Sequence, residues 1–258
     1  MRRTTVCAAF GLAAALWCGA TMAVGADAEK KAARKPIRVL LTVGGHDYEQ
    51  APFHAMFEKL PGVVCKRIDI RTEADVLKPG LEKDVDVLVM YDMCPGLSPK
   101  QQENFAKLLS QGIGVVALHH NIGGHADWTE WPKVIGGKFF LKPQDYAGKS
   151  WKNSPWDHDQ DLNVTVADKN HPITKGLKDF QIHDETYGGY WVSPDAHVLL
   201  TTDHPKNNKE VAWVTKYGKS PVFYLQLGHD NQAWKNPAYP ELLKRGIRWA
   251  NRANKRGQ

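Results

Sequence analysis

The chain has little thiol chemistry to offer. Only four cysteines occur in its 258 residues, and Cys7 and Cys18 lie in an N-terminal leader. Cys65 and Cys94 remain, with no Cys-x-x-Cys pair anywhere, which excludes a thiolate zinc site and a disulfide framework. The two thiols are open either to pairing with each other or to standing free. The glycine turn Gly44-Gly45 after the first apolar run has neither Gly-x-Gly-x-x-Gly spacing nor a P-loop lysine, so it carries no nucleotide-phosphate fingerprint. No candidate histidine has His-Glu-x-x-His spacing. A basic stripe is missing too. The net charge of +6 includes Arg2 and Arg3, without which it is +4, and lysines and acids are interleaved throughout. Nucleic acid is therefore not an expected partner. The apolar run Val6 to Ala20 is too short for a membrane span, and there is neither an internal repeat nor a low-complexity tract.

What the leader does have is a basic start at Arg2-Arg3, an apolar centre and small residues at Thr21-Met22-Ala23 and Val24-Gly25-Ala26. Residues 1–26 thus read as a secretory signal peptide, which implies a periplasmic or secreted protein. Trp17 before Cys18 argues against lipid anchoring. Residues 27–36 read as a charged linker ended by Pro36, and 37–253 as one α/β domain with ample length for a core.

Within that domain, apolar runs alternate with helical stretches. Strands are expected at Ile37–Val43, Val63–Ile68, from Val85 to Met90, and at Ile113–Leu118. Helices are expected from Pro52 to Leu60 and from Pro99 to Leu109, the second capped by Ser98. This alternation implies right-handed crossovers and a mainly parallel sheet. Asp127 to Ile135 can form a helix. Lys138 to Asp159, rich in aromatics, lysines and prolines, reads as an irregular lid or wall over a site. Further strands are expected at Leu162–Val166, Val198–Thr202, Val211–Tyr217 and Pro221–Leu227. The last two form a C-terminal antiparallel hairpin around Gly218-Lys219-Ser220. Pro240 to Asn251 reads as a closing amphipathic helix.

Three expected strands end in a histidine: His46, His119 (beside His120), and His229. In a parallel α/β sheet ligands bind beyond the carboxyl ends of the strands. Three imidazoles gathered there suit a divalent metal, with zinc or manganese first. Residues 183–187, His-Asp-Glu-Thr-Tyr, add carboxylates and a phenol if their segment lies on the same rim. In an extended segment Glu185 and Tyr187 share a side, with His183, while Asp184 faces away. His54, His158, His171, His197 and His204 are assigned structural roles.

The motifs GGHDYE, VVALHHNIGG, HPITKGL, DETY, YGKSPVFYLQLGH and RGIRWA, in that order, resemble the trehalose-utilisation (ThuA-like) family over roughly Ile37 to Ala250. The resemblance implies a class I glutamine amidotransferase-like fold, a flavodoxin-like three-layer sandwich, and a role in sugar catabolism, including disaccharides with an oxidised glucose. In amidotransferases a cysteine occupies the turn after a central strand; here that turn is His119-His120-Asn121, so glutamine chemistry is not expected. A carbohydrate enzyme, a metal-dependent hydrolase, lyase or isomerase, follows as the leading expectation. His46, His119 and His229 are its metal ligands and Glu185, His120 and Tyr187 its catalytic groups. Asp47, Asn121, Trp128, Trp151 and Asp184 are expected to contact a sugar or glycoside, with Trp131 among the stacking aromatics. A non-catalytic sugar-binding protein and a cysteine hydrolase are the alternatives. Oligomeric state is left open.

Overall fold

A computed structural model describes residues 1 and 35–256, the last three in backbone only. The expected signal peptide, apart from residue 1, and the expected linker, apart from residues 35 and 36, lie outside the described residues.

The order of elements is β1 (Ile37–Gly44), α1 (Gln50–Glu58), β2 (Val63–Asp69), α2 (Ile70–Glu73), β3 (Val87–Asp92), α3 (Pro99–Gln111) and β4 (Gly114–Leu118), followed by a 3-10 turn at His119–Gly123. Then come α4 (Trp131–Ile135), β5 (Gly137–Lys138), β6 (Gln144–Tyr146), β7 (Lys149–Trp151), β8 (Trp156–Val166), β9 (Phe180–Tyr187), β10 (Trp191–Val192), β11 (His197–Thr202), β12 (Glu210–Tyr217), β13 (Ser220–Leu225), α5 (Asn231–Lys235) and α6 (Ala238–Arg256).

Nine strands form one sheet in the order β2-β1-β3-β4-β13-β12-β11-β8-β9. The run β2-β1-β3-β4-β13 is parallel throughout, in the flavodoxin strand order, and carries the carboxyl-edge crevice. From β13 outward the pairing is antiparallel, beginning with the hairpin β12–β13. β3 and β4 are wholly buried because side chains of both parities meet a helical layer. Val89, Val116 and Phe223 pack on one face with Phe53, Leu243 and Ile247; Leu88, Val115 and Tyr224 pack on the other with Phe105, Leu108 and Trp131. These are the two outer layers of a three-layer sandwich. α6 lies so close to β4 that a Cβ at Gly114 would meet the Ala250 backbone at 2.8 Å.

Local signals placed α3 well. Ser98 accepts from the Gln101 amide, the Gln101 side chain accepts from the Ser98 amide, Pro99 opens the helix, and Gly112 ends it in the left-handed region. Two expectations shift. The Asp127–Ile135 helix shrinks to the five residues of α4. The span Lys138–Asp159 is less irregular than expected, since it contains the β6–β7 hairpin and the start of β8. The first half of β8, Trp-Asp-His-Asp-Gln-Asp, is mostly exposed and so shows no alternating apolar signal; its extension comes from pairing with β9.

Candidate functional site

β4 ends at a sharp strand-to-turn corner. His119 sits there with φ 49°, a left-handed backbone uncommon for a side chain of that size. Such strain persists where surrounding contacts over-determine it. Here the His119 carbonyl accepts from Tyr224 at 2.9 Å, and its Nδ1 donates to the Gln226 carbonyl at 2.7 Å. A carbonyl only accepts, so Nδ1 carries a proton and Nε2 is the nitrogen turned to the site.

Nε2 faces Glu185 from β9 and His229 from the loop after β13. Glu185 Oε2 is 3.0 Å from His119 Nε2 and 3.3 Å from His229 Nδ1, and the two imidazole nitrogens are 3.2 Å apart. Among the described residues these three form a group able to share a metal ion. A carboxylate oxygen against an imidazole lone pair is repulsive unless a proton or a cation lies between them. Bonds of about 2.0–2.1 Å to one ion place neighbouring donors about 2.9 Å apart in octahedral geometry and about 3.4 Å apart in tetrahedral geometry. The three separations fall in this range, so the residues fit a first-row divalent ion.

The supports of this group are themselves buried. Asp184, on the opposite side of β9 from Glu185, accepts from the amides of Gly228 at 2.7 Å, His229 at 3.0 Å and Glu185 at 2.9 Å. Tyr91 donates to the carbonyls of Gly228 and His229, and Trp234 to that of Gly228. Gly228 has φ 110°, and a Cβ there would meet the Tyr239 ring at 2.4 Å, so only glycine fits the turn that presents His229. Burial lifts the Asp184 carboxyl above its ordinary value against these donors. Burial also opposes ionisation of Glu185, but hydrogen bonds and charge from His119 and His229 outweigh it and hold the carboxyl well below the usual range. His229 is the complement: burial lowers its pKa, Glu185 raises it more, and the net direction is upward.

A cavity of about 190 Å³ adjoins the group, lined by His46, Met93, His120, Ile122, Phe139, Leu141, Trp156, His158, Glu185 and Tyr187, among others. It spans the carboxyl ends of β1, β3 and β4, where the chain order reverses across the sheet, the usual ligand crevice of such folds. His120 is 3% exposed. Its Nε2 meets the Tyr91 carbonyl at 3.2 Å, while its Nδ1 has no partner. Burial, then the neighbouring imidazoles, push its pKa well below that of a free histidine, so it stands neutral.

The structure thus brings together His119, His229, Glu185, His120 and Tyr187. His46 is not among the donors. Beyond the Gly44-Gly45 turn its Nδ1 folds onto the Asp47 carbonyl, and its ring stacks on His120 at 4.5 Å, so it lines the cavity while Glu185 takes the third donor position. Asp47 faces a different recess, with Arg67, Asp69 and Arg71. Asn121 is buried and donates to the Asp92 carbonyl, fixing the 3-10 turn. Trp128 and Trp131 stack on each other over Phe105 in the core. Trp151 stacks on Phe140, away from the cavity lining. Asp184 spends its oxygens on backbone amides and is absent from the lining of this cavity, bordering instead a separate recess with His183, His229 and Asp230. His183 parts from Glu185 and pairs with Asp161. Neither Cys65 nor Cys94 lines the cavity, and both are free.

Sequence reasoning missed His158 and Trp156. His158 Nδ1 lies 3.2 Å from Glu185 Oε1, its ring is 4.5 Å from that of His229, and Trp156 stands 58% exposed beside it. Neither ends an apolar run; the Asp157–Gln160 bulge, opposite Thr186 and Asp184, decides where they point. A polar pair at spacing two opposite the Asp-Glu-Thr-Tyr motif is the signal that was available. Sequence reading also passed over His125, which is fully buried at 3.1 Å from the equally buried Asp92.

The model of the ThuA family, described as trehalose utilisation, matches residues 38–250. The chain belongs to the ThuA family. Among solved structures, a ThuA-like protein from Parabacteroides merdae superposes on this family member with a TM-score of 0.69 at 18% identity, covering 84% of this chain and 90% of its own. A ThuA-like protein from Bacteroides uniformis gives a TM-score of 0.63 at 22% identity, with coverages of 84% and 93%. A cold-adapted β-galactosidase from Rahnella matches with a TM-score of 0.52 at 14% identity, over 81% of this chain but 30% of its own. These likenesses concern the fold, which is consistent with a class I glutamine amidotransferase-like sandwich. No curated protein matches the chain.

Proposed function

We propose that this ThuA-family protein is a metal-dependent enzyme of carbohydrate utilisation, a hydrolase, lyase or isomerase, exported from the cytoplasm by its N-terminal leader. The observation that carries the reading is the spacing of the His119, Glu185 and His229 donors, 3.0 to 3.3 Å apart around one point. Two imidazoles and a carboxylate are a donor set for zinc or for another first-row ion such as manganese or iron. A bound ion would polarise a sugar carbonyl or hydroxyl pair, or lower the pKa of water.

The remaining roles follow from environment. With Glu185 committed to the ion, the group suited to take a proton is His120: it is neutral, it lines the cavity, and its Nδ1 has no partner. Phe139, Leu141 and Trp156 offer the cavity apolar surface for the C–H face of a sugar ring, beside the polar groups of His46, His120, His158, Glu185 and Tyr187. A cavity of this size suits a single ring. The same architecture without turnover would be a sugar-binding protein.

The test is a screen of native and keto-oxidised disaccharides and glycosides with zinc or manganese added, against a chelator-treated control. Turnover that the chelator abolishes and the metal restores supports the proposal. Saturable sugar binding with no product favours the binding protein. Turnover indifferent to chelation sinks the metal-dependent mechanism.

A further inference from the structure

Among the described residues the exposed large apolar side chains are Met1, Val64, Leu141 and Trp156. A single exposed apolar residue needs no explanation, but two of these four border the same cavity. Leu141 is 51% and Trp156 58% exposed. A cavity of about 190 Å³, its wall shared among eleven residues, has too little surface to account for all of that exposure. Part of each side chain therefore lies beyond the space of a single sugar ring, at the rim.

The pair is held in place. Leu141 follows Phe140 directly, and Trp156 stands two residues past Ser154; Phe140 and Ser154 are both buried. The Phe140 amide donates to Ser154 Oγ at 3.0 Å, and the Ser154 amide donates to the Phe140 carbonyl at 2.8 Å. Ser154 Oγ in turn donates to the Gly189 carbonyl at 3.1 Å. This clasp brings two distant segments to one rim. Trp156 is fixed further by pairing opposite Tyr187 in the β8–β9 ladder, and the His158 ring packs 4.8 Å from its own. A side chain ordered beforehand loses little freedom when a ligand covers it.

The rim suits an apolar group better than a second sugar. Among the described residues that line the cavity, Glu185 is the one carboxylate and is buried, and there is no amide side chain, lysine or arginine. The other exposed members of the lining are His46 and His158. A second sugar ring brings hydroxyls that lose water and need partners, whereas a flat apolar group needs none. We propose that Leu141 and Trp156 form a subsite for the apolar, aromatic aglycone of a glycoside whose sugar ring occupies the cavity. The substrate class is then the aryl glycoside. This inference rests on the sugar-site reading above and does not depend on the metal.

The experiment measures binding by calorimetry to the mature protein with zinc present. The probes are phenyl and methyl glycosides of glucose and galactose in both anomers, with cellobiose, lactose, trehalose and phenol. At least one phenyl glycoside should bind about tenfold more tightly than its methyl partner, as expected for roughly 60 Å² of apolar surface removed from water. In Trp156→Ala that ratio should fall to about twofold or less, and Leu141→Ser should lower it in the same direction, each variant folded by circular dichroism. Equal binding of phenyl and methyl partners, or a disaccharide that binds more tightly than both, overturns the aglycone subsite and leaves the sugar reading standing. Phenol binding as tightly as the phenyl glycosides overturns the joint site. A wild-type dimer in sedimentation that Trp156→Ala dissociates also overturns it, because the rim is then an interface between copies. No binding of any probe overturns both readings.

Discussion

Asp184→Asn separates the support of the site from its chemistry, and its cost can be worked out atom by atom. Oδ1 accepts from the Glu185 and His229 amides and Oδ2 from the Gly228 amide. An asparagine that keeps its carbonyl at the Oδ1 position retains two of the three bonds in neutral form. Its NH2 group then points at the Gly228 N–H, donor against donor. One charge-assisted bond is lost, at about 1.5–3 kcal/mol, and two others are weakened. The partner amide is buried and has no alternative acceptor, so the expected loss is about 2–4 kcal/mol. Part of it is offset because burial already disfavours the charged form of Asp184. Urea unfolding at neutral pH measures the loss directly. The same substitution should weaken metal binding without removing a ligand, since the Gly228–His229 turn relaxes. A variant as stable as the wild type to within about 0.5 kcal/mol would show that these three bonds do not hold the turn, and the argument for Asp184 as a structural brace would fail.

Glu185→Gln should behave in the opposite way. The variant should still fold by circular dichroism, while metal affinity falls by more than about 100-fold and turnover by two to four orders of magnitude; near wild-type metal binding in calorimetry would remove Glu185 from the donor set. His120 predicts a pH dependence. Burial holds its pKa well below that of the unfolded chain, so its stabilising contribution is complete above about pH 6.5 and is lost as the pH falls below it, by up to about 1.4 kcal/mol per unit. His120→Gln should therefore show a shallower decline of stability between about pH 7 and 5.5, and parallel slopes would contradict a neutral His120.

The parallel half of the fold was legible in the sequence because its strands are buried on both faces. Runs such as Val87–Tyr91 and Ile113–Leu118 admit few readings, and the Ser98-Pro99 start and Gly112 stop of α3 are written in residue types with direct backbone consequences. The antiparallel half was harder. β8 begins with six residues whose side chains mostly face water, so nothing in their periodicity marks a strand, and β9 had to be placed by its partner. At the site, the histidines at the ends of β4 and β13 follow from topology alone. Glu185 came from the argument that alternate residues of an extended chain share a side, which also separated it from Asp184. His46 was misjudged because a strand-end position says where a backbone leaves the sheet, whereas two glycines and a backbone acceptor decide where the ring goes. Trp128 and Trp151 show the same limit: aromatic composition does not distinguish a core stack from a sugar platform, and only the exposure of Trp156 at the cavity does.

Metal analysis of purified protein tests the proposed metal centre most directly. Protein produced without a polyhistidine tag, dialysed against buffer free of chelators and assayed by mass spectrometry of the elements, should carry close to one first-row divalent ion per chain. A His229→Ala variant, folded by circular dichroism, should carry almost none, while a Cys94→Ser variant keeps the full complement. Wild-type protein that takes up no ion even after incubation with zinc, manganese and iron, or a His229→Ala variant that keeps its ion, would contradict a centre built on His119, Glu185 and His229.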